Sequence, residues 1–202
     1  AVNDEYQKGS DGRWGAGLPG SGDMQMLFLQ SAIDQLDDNL GRCAIIENGS
    51  PLFSGGTASG ESQIRRWLLE SDLIEAIIAM PTDLFYNTGI ATYIWVLSKN
   101  KRTERKGKIQ LIDASQIYHK LRKALGNKKN EIAPEDRSTI TKLYADFEEN
   151  EICKIYKNEE FIYREYAVMQ PLQRSYAITE ERIQAMLSKG SLSSLYDEAK
   201  VE

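Results

Sequence analysis

Apolar positions follow two rhythms along this chain. Over residues 23–40 they recur at three- and four-residue spacing, at Met26, Leu29, Ile33, Leu36 and Leu40, which is one stripe of an amphipathic helix. Asp23 suits its N-cap and Gly41 a C-cap-like stop. Beyond that point the rhythm changes to short continuous runs. RCAIIE at 42–47, LIEAIIA at 73–79, ATYIWVLS at 91–98 and KIQLID at 108–113 read as four buried strands. A helix over 61–70, with Ile64, Trp67 and Leu68 inward, separates the first two. The later links are too short for a crossover helix. The pattern predicts an α/β fold, a parallel sheet with antiparallel pairing at one side.

After Asp113 the character changes. Residues 115–125 read as a basic helix and GNKKNEIAP as a linker. A helix starts at Pro134, with Ile140, Leu143, Tyr144 and Phe147 as its stripe. Residues 152–156 and 160–166 read as short strands, and Thr179-Glu180-Glu181 opens a last helix with Ile183, Met186 and Leu187 inward. The division is therefore 1–114 for the sheet domain and 115–202 for a mostly helical C-terminal extension that can dock a partner. Residues 1–22, with glycines at 9, 12, 15, 17, 20 and 22, read as a loop, as does SGGTASGES at 54–62.

Composition adds exclusions. The 202 residues, 41% hydrophobic and 27% charged, are enough for one sizeable domain plus an appendage. No apolar run reaches the roughly 18 residues that cross a bilayer, and no secretory signal is visible. Cys43 and Cys153 are too few for a metal cluster or a disulfide framework, and read as reduced thiols of a cytoplasmic protein. No metal site is expected. A net charge of −5 argues against wholesale electrostatic binding of nucleic acid, but leaves local DNA contacts open. His119, the only histidine, lies in a basic stretch and reads as a surface residue.

Chemistry concentrates in Leu73–Lys99. Adjacent aromatics, Phe85 and Tyr86, sit in the loop between two strands, where a ring face can stack on a flat ligand such as a nucleobase. Phe85 can equally plug the core at the strand end. Asn87 and Thr88 follow, able to touch a base or phosphate or simply to form the turn, and Gly89 suits a tight turn at positive φ. Asn48, in the ENGSP break after the first strand, falls on the same expected edge and is a candidate pocket residue. Lys99, Lys101 and Arg102, with Arg105, Lys106 and Lys108, cluster at a turn that reads as a set of phosphate contacts or as a solvated surface. Lys120, Arg122, Lys123, Lys128 and Lys129 can face DNA or a partner subunit. There is no G-x-G-x-x-G after a strand, no P-loop, no nucleophile elbow and no zinc spacing, so no residue takes a catalytic role on pattern alone.

The run GRCAIIENGSPLFSGG…ESQIRRWLLESDLIEAIIAMPTDLFYNTGIATYIWVLSKNK…GKIQLIDAS resembles the modification subunit of type I restriction–modification enzymes, which are N6-adenine DNA methyltransferases. Supporting segments are RWGAGLPGSGDMQMLFLQSAI at 13–33, NKKNEIAPEDRSTITKLYADF at 127–147 and EFIYREYAVMQPLQRSYAIT at 160–179. The resemblance implies part of a methyltransferase (Rossmann-like) sheet, with helices on both faces and an antiparallel hairpin strand. It implies S-adenosylmethionine as cofactor, and DNA with specificity and restriction subunits as partners. Phe85 is the position that matches the family's base-stacking aromatic, with Tyr86 beside it. The family's glycine-bearing cofactor loop and its N-P-P-F/Y motif are absent from this chain. The chain is thus expected to be the C-terminal half of a catalytic domain plus tail, inactive alone. The alternative is a non-enzymatic module that docks to a DNA-specificity subunit.

Overall fold

In a computed structural model, residues 2–164, 166–170 and 177–187 are described. The chain divides into two compact units, residues 1–165 and 166–202.

Short local signals build the first unit. Residues 1–22 hold more structure than their glycines predict: helix α1 (Val2–Tyr6), a 3-10 turn at Gly9–Asp11, and a buried Trp14. Helix α2 (Gln25–Asp34) is shorter than its apolar stripe. Asp37 stops the chain by accepting the N–H groups of Asn39 and Leu40 at 2.9 and 2.8 Å, a local bond that competes with helix continuation. Strand β1 (Arg42–Asn48) leads into a single turn, α3 (Ser50–Phe53). Helix α4 (Gly60–Glu70) is capped by the Ser59 hydroxyl, which accepts from Ser62 N–H. Then follow β2 (Ile74–Met80), β3 (Thr92–Ser98) and β4 (Lys108–Asp113).

The sheet order is β1-β3-β2-β4 and then β7 (Cys153–Lys157). β3 wedges between β1 and β2 and runs antiparallel to both. Because β3 itself returns the chain to the start of β2, β4 can lie parallel to β2 without a crossover helix. β7 adds antiparallel to β4. The sheet is mixed, with β2–β4 its one parallel pairing, rather than parallel with one antiparallel side. Alternation along the strands supplies two cores. Ile45, Trp95, Leu97 and Ile109 face α2 and α4, while Ile78, Val96, Ile112 and Cys153 face helix α5 (Pro134–Asp146). Helices therefore cover both faces, as predicted. Cys43 and Cys153 are free and lie on opposite faces.

The largest departure is at 115–131. The expected basic helix and linker form a two-stranded hairpin, β5 (His119–Leu125) and β6 (Lys128–Glu131), closed by Gly126 and Asn127. Gly126 takes φ +63°, which glycine adopts without strain. Among the described residues, the segment after Ala114 thus contributes this hairpin as well as helix α5, and its β7 belongs to the main sheet. The strand expected near 160–166 is instead a 3-10 turn at Asn158–Phe161 followed by irregular chain to residue 164.

In the second unit the described residues include helix α6 (Glu180–Leu187), where Thr179 Oγ1 accepts from Arg182 N–H. Residues 171–176 and 188–202 of the expected extension lie outside the described residues.

Candidate nucleic-acid site at the carboxyl end of the sheet

Asn48 pairs with Thr92, Met80 pairs with Thr92, and Ala79 pairs with Asp113. One end of the sheet therefore carries the carboxyl ends of β1, β2 and β4, the place where open α/β sheets hold ligands. The 81–91 loop rises from this end. Phe85 and Thr88 pair through their backbones, so Tyr86 and Asn87 form a two-residue turn. Phe85 is 38% exposed and Tyr86 61%. Thr88 Oγ1 accepts from Ile90 N–H at 3.3 Å, which serves the turn. The positive φ expected at Gly89 falls instead on Asp83, at +57°. Gly89 is needed for another reason: a Cβ there would lie 2.6 Å from Asp83 Oδ1.

The β5–β6 hairpin holds this loop from the side. Asn127 N–H donates to the Tyr86 carbonyl at 2.9 Å, and Lys129 and Asn130 N–H donate to the Asp83 carbonyl at 2.9 and 3.1 Å. Asn130 Nδ2 donates to the Thr82 carbonyl at 2.9 Å. Lys128 Nζ stands 5.6 Å from the Tyr86 ring centroid. A Cβ at Gly126 would come within 2.7 Å of the Tyr86 carbonyl, so this close approach also demands glycine. Between hairpin and loop lies a cavity of about 430 Å³ lined by Thr82, Asp83, Tyr118, Lys120, Leu121 and Lys129, among others. His119 anchors the hairpin to α5 through Asp136, 2.8 Å away. The Asp136 hydrogen bond, then its charge, raises the His119 pKa. Pattern reasoning missed this strap. Its one local signal was the Gly126-Asn127 pair between two basic runs.

Asn48 lies at the same end, but its side-chain oxygen closes a turn by accepting Ser50 N–H at 2.7 Å. Beside it Glu47 is buried. Burial pushes its carboxyl from the ordinary 4.5 to about 7, and the Asp23 charge adds to the rise. The folded chain then binds more protons than the unfolded chain between those values, so this group's contribution to stability falls as pH rises from about 4.5 to 7. Glu47→Gln is expected to gain on the order of 2–3 kcal/mol above pH 7 relative to the wild type. Urea midpoints at pH 5 and pH 8 check this: the gap between them narrows in the variant, and an unchanged gap contradicts the assignment.

Lys99, Lys101 and Arg102 are not part of this site. They lie past Ser98, at the opposite end of seven-residue strands, about 20 Å away at strand rise. Lys99 Nζ donates to the Leu36 carbonyl and to Asp38 at 2.7 and 2.8 Å. Lys101 has a side chain only 1% exposed, pairs with Asp72 at 2.5 Å and is structural, which removes it as a phosphate contact. Arg102 is exposed on the same turn. Arg105 is buried beside Glu75 at 3.4 Å and donates to Gln110 at 2.9 Å and to the Tyr144 carbonyl. Glu75 is the extra residue of a bulge in β2, which turns its carboxylate to Arg42 and Arg105.

No described cluster of His, Cys, Asp or Glu suits a metal ion. No described helix is long and apolar enough to cross a membrane. The glycine loops are crowded at some positions and open at others, with nothing within 4 Å of a Cβ placed at Gly22 or Gly56. A Cβ at Gly55 would meet the Ser59 hydroxyl and one at Gly60 the Leu18 carbonyl, so the chain's own atoms fill both.

A model of the N-6 DNA methylase family matches residues 2–182. The methylase subunit of the type I restriction enzyme HindI from Haemophilus influenzae is 37% identical over 107 residues, 53% of this chain and 23% of that protein. The MjaVIII methylase subunit of Methanocaldococcus jannaschii is 36% identical over 126 residues, 62% of this chain and 21% of that one. Among solved structures, the methyltransferase subunit of a type I restriction-modification system from Streptococcus thermophilus superposes with a TM-score of 0.60 at 29% identity, over 68% of this chain and 27% of its own. The chain thus spans about a quarter of the length of the relatives it matches.

Proposed function

Since the chain belongs to the N-6 DNA methylase family, we propose that it is the base-facing part of a type I restriction–modification methyltransferase subunit, which moves a methyl group from S-adenosylmethionine to adenine N6 in DNA. The observation that carries this reading is the Phe85–Thr88 turn, which holds a ring half in water at the carboxyl end of the sheet. Modifying a base of duplex DNA requires taking it out of the stack, at a cost of a few kcal/mol. An aromatic face recovers about 1–3 kcal/mol of that. Phe85 is the better platform of the two, because Lys128 already stands over the Tyr86 ring. Asn87 and Thr88 shape the turn beneath that platform.

The described residues offer only part of what an S-adenosylmethionine site needs. Gly55 and Gly60 are packed against Ser59 and Leu18, and no N-P-P occurs in the chain. We therefore assign the cofactor and the amino-group clamp to other parts of the subunit, and derive no chemical step from this chain. The partners in this reading are DNA and the specificity and restriction subunits of the same complex. Methyl incorporation into DNA from labelled S-adenosylmethionine tests it. The complete subunit with its specificity partner is expected to label adenine N6, and the 202-residue chain alone to give no signal. Labelling of another base, or activity of the chain alone, contradicts the reading.

A further inference from the structure

The geometry points to the β5–β6 hairpin as a DNA-backbone contact built onto the aromatic loop, with Lys128 and Lys129 taking phosphate oxygens next to the base that Phe85 stacks. This rests on the stacking role of Phe85 proposed above.

Charge is the first support. The chain carries −5 overall, yet residues 119–131 hold Lys120, Arg122, Lys123, Lys128 and Lys129 against a single Glu131. Exposure is the second. Along β5 every side chain but that of Leu121 is exposed, and in β6 only Asn130 is buried. The hairpin contributes almost nothing to either core, and a two-stranded hairpin is marginal by itself in water. Cations held this close repel one another, a cost that a polyanion would offset.

Attachment is the third support. The hairpin's backbone amides and Asn130 hold the carbonyls of Thr82, Asp83 and Tyr86, the residues that lead into and form the aromatic turn. Lys129 Nζ lies 3.7 Å from Asp83 Oδ1, and Lys128 Nζ lies over Tyr86. Both ammonium groups therefore sit on the loop that presents Phe85. Contacts to phosphate carry no sequence information, but they fix register and orientation on the duplex. A strap of this kind would set where the ring meets the extruded base.

The test uses the complete methylase complex and a duplex containing its recognition site. DNA affinity is measured across a salt series. Lys128→Gln/Lys129→Gln is expected to weaken binding roughly tenfold and to lower the slope of log affinity against log salt by about 2. Lys128→Arg/Lys129→Arg restores both, which a merely misfolded hairpin would not allow. Affinity and slope unchanged in the glutamine pair overturn the proposal. So does a loss confined to assembly with the specificity subunit, which would make the strap a protein-docking surface. The stacking reading fails separately: Phe85→Ala at wild-type methylation rate sinks it whatever the salt slope shows.

Discussion

Replacing Phe85 by alanine in the complete subunit is expected to cut the methylation rate by about 5- to 150-fold, the loss of about 1–3 kcal/mol of base stacking. The expectation follows from placement. Phe85 belongs to neither core cluster. Its backbone pairs with that of Thr88, and the residue is 38% exposed. Truncation should therefore leave the melting temperature near that of the wild type while removing the face proposed to stack the base. Phe85→Trp keeps an aromatic face and should retain much of the rate. Tyr86→Ala should cost less, since its ring is partnered with Lys128. Initial rates at saturating DNA, with thermal unfolding as a control, separate these cases. A Phe85→Ala variant that methylates at the wild-type rate contradicts the stacking role.

The largest stability effect is expected at the other end of the sheet. Glu75 and Arg105 are 2% and 3% exposed, with their charged groups 3.4 Å apart. Glu75→Ala leaves the Arg105 guanidinium buried without its carboxylate, a change that costs on the order of 3–5 kcal/mol. Arg42, whose side chain is 46% exposed, meets the same carboxylate at 3.0 Å. Solvent screens that pair, so Arg42→Ala should cost about 1 kcal/mol or less from the lost charge. Arg105 also lies 4.4 and 4.3 Å from the Tyr144 and Phe147 ring centroids, which fixes it to α5 and its C-cap. Urea unfolding measures both variants. A Glu75→Ala midpoint within about 1 kcal/mol of the wild type would mean that this end of the sheet is solvated rather than locked. The same network holds Lys101 and Arg105 of the basic turn at 99–108 inside the structure. Lys101 meets Asp72, 29 residues away, and Asp72 also accepts Gly107 N–H at 2.9 Å and Asn158 Nδ2 at 2.8 Å.

The strands of the main sheet were legible, β1 to β4 as continuous runs of apolar and β-branched residues between turn signals and β7 as the short run at 152–156. Helix α5 announced itself through Pro134 at its first position. The strand order was not legible, since nothing local in TYIWVLS says that it wedges between two earlier neighbours. Helix α2 was overrun because its apolar stripe continues to Leu40, which turns out 87% exposed beyond the Asp37 turn. The hairpin was misread for a physical reason. Leu, Arg, Lys and Ala are good helix formers, and HKLRKAL shows no period-2 alternation. What orders it lies far along the chain, in the carbonyls of Thr82, Asp83 and Tyr86. The same distance in sequence hid the ion pairs that withdraw Lys101 and Arg105 from any DNA surface. Phe85 and Tyr86 stood out as adjacent aromatics between strands, but the choice between core plug and platform needed the family resemblance, and the exposure of the ring supports the platform.

One measurement reaches this point most directly. A duplex with 5-iodouracil in place of the target adenine is irradiated in complex with the complete subunit and its specificity partner, and the crosslinked peptide is sequenced by mass spectrometry. A halogenated base stacked on a ring crosslinks to that ring, so the crosslink is expected on Phe85. A crosslink on a residue outside the 81–91 loop, with Phe85 unmodified, would contradict the assignment of this loop as the platform for the extruded base.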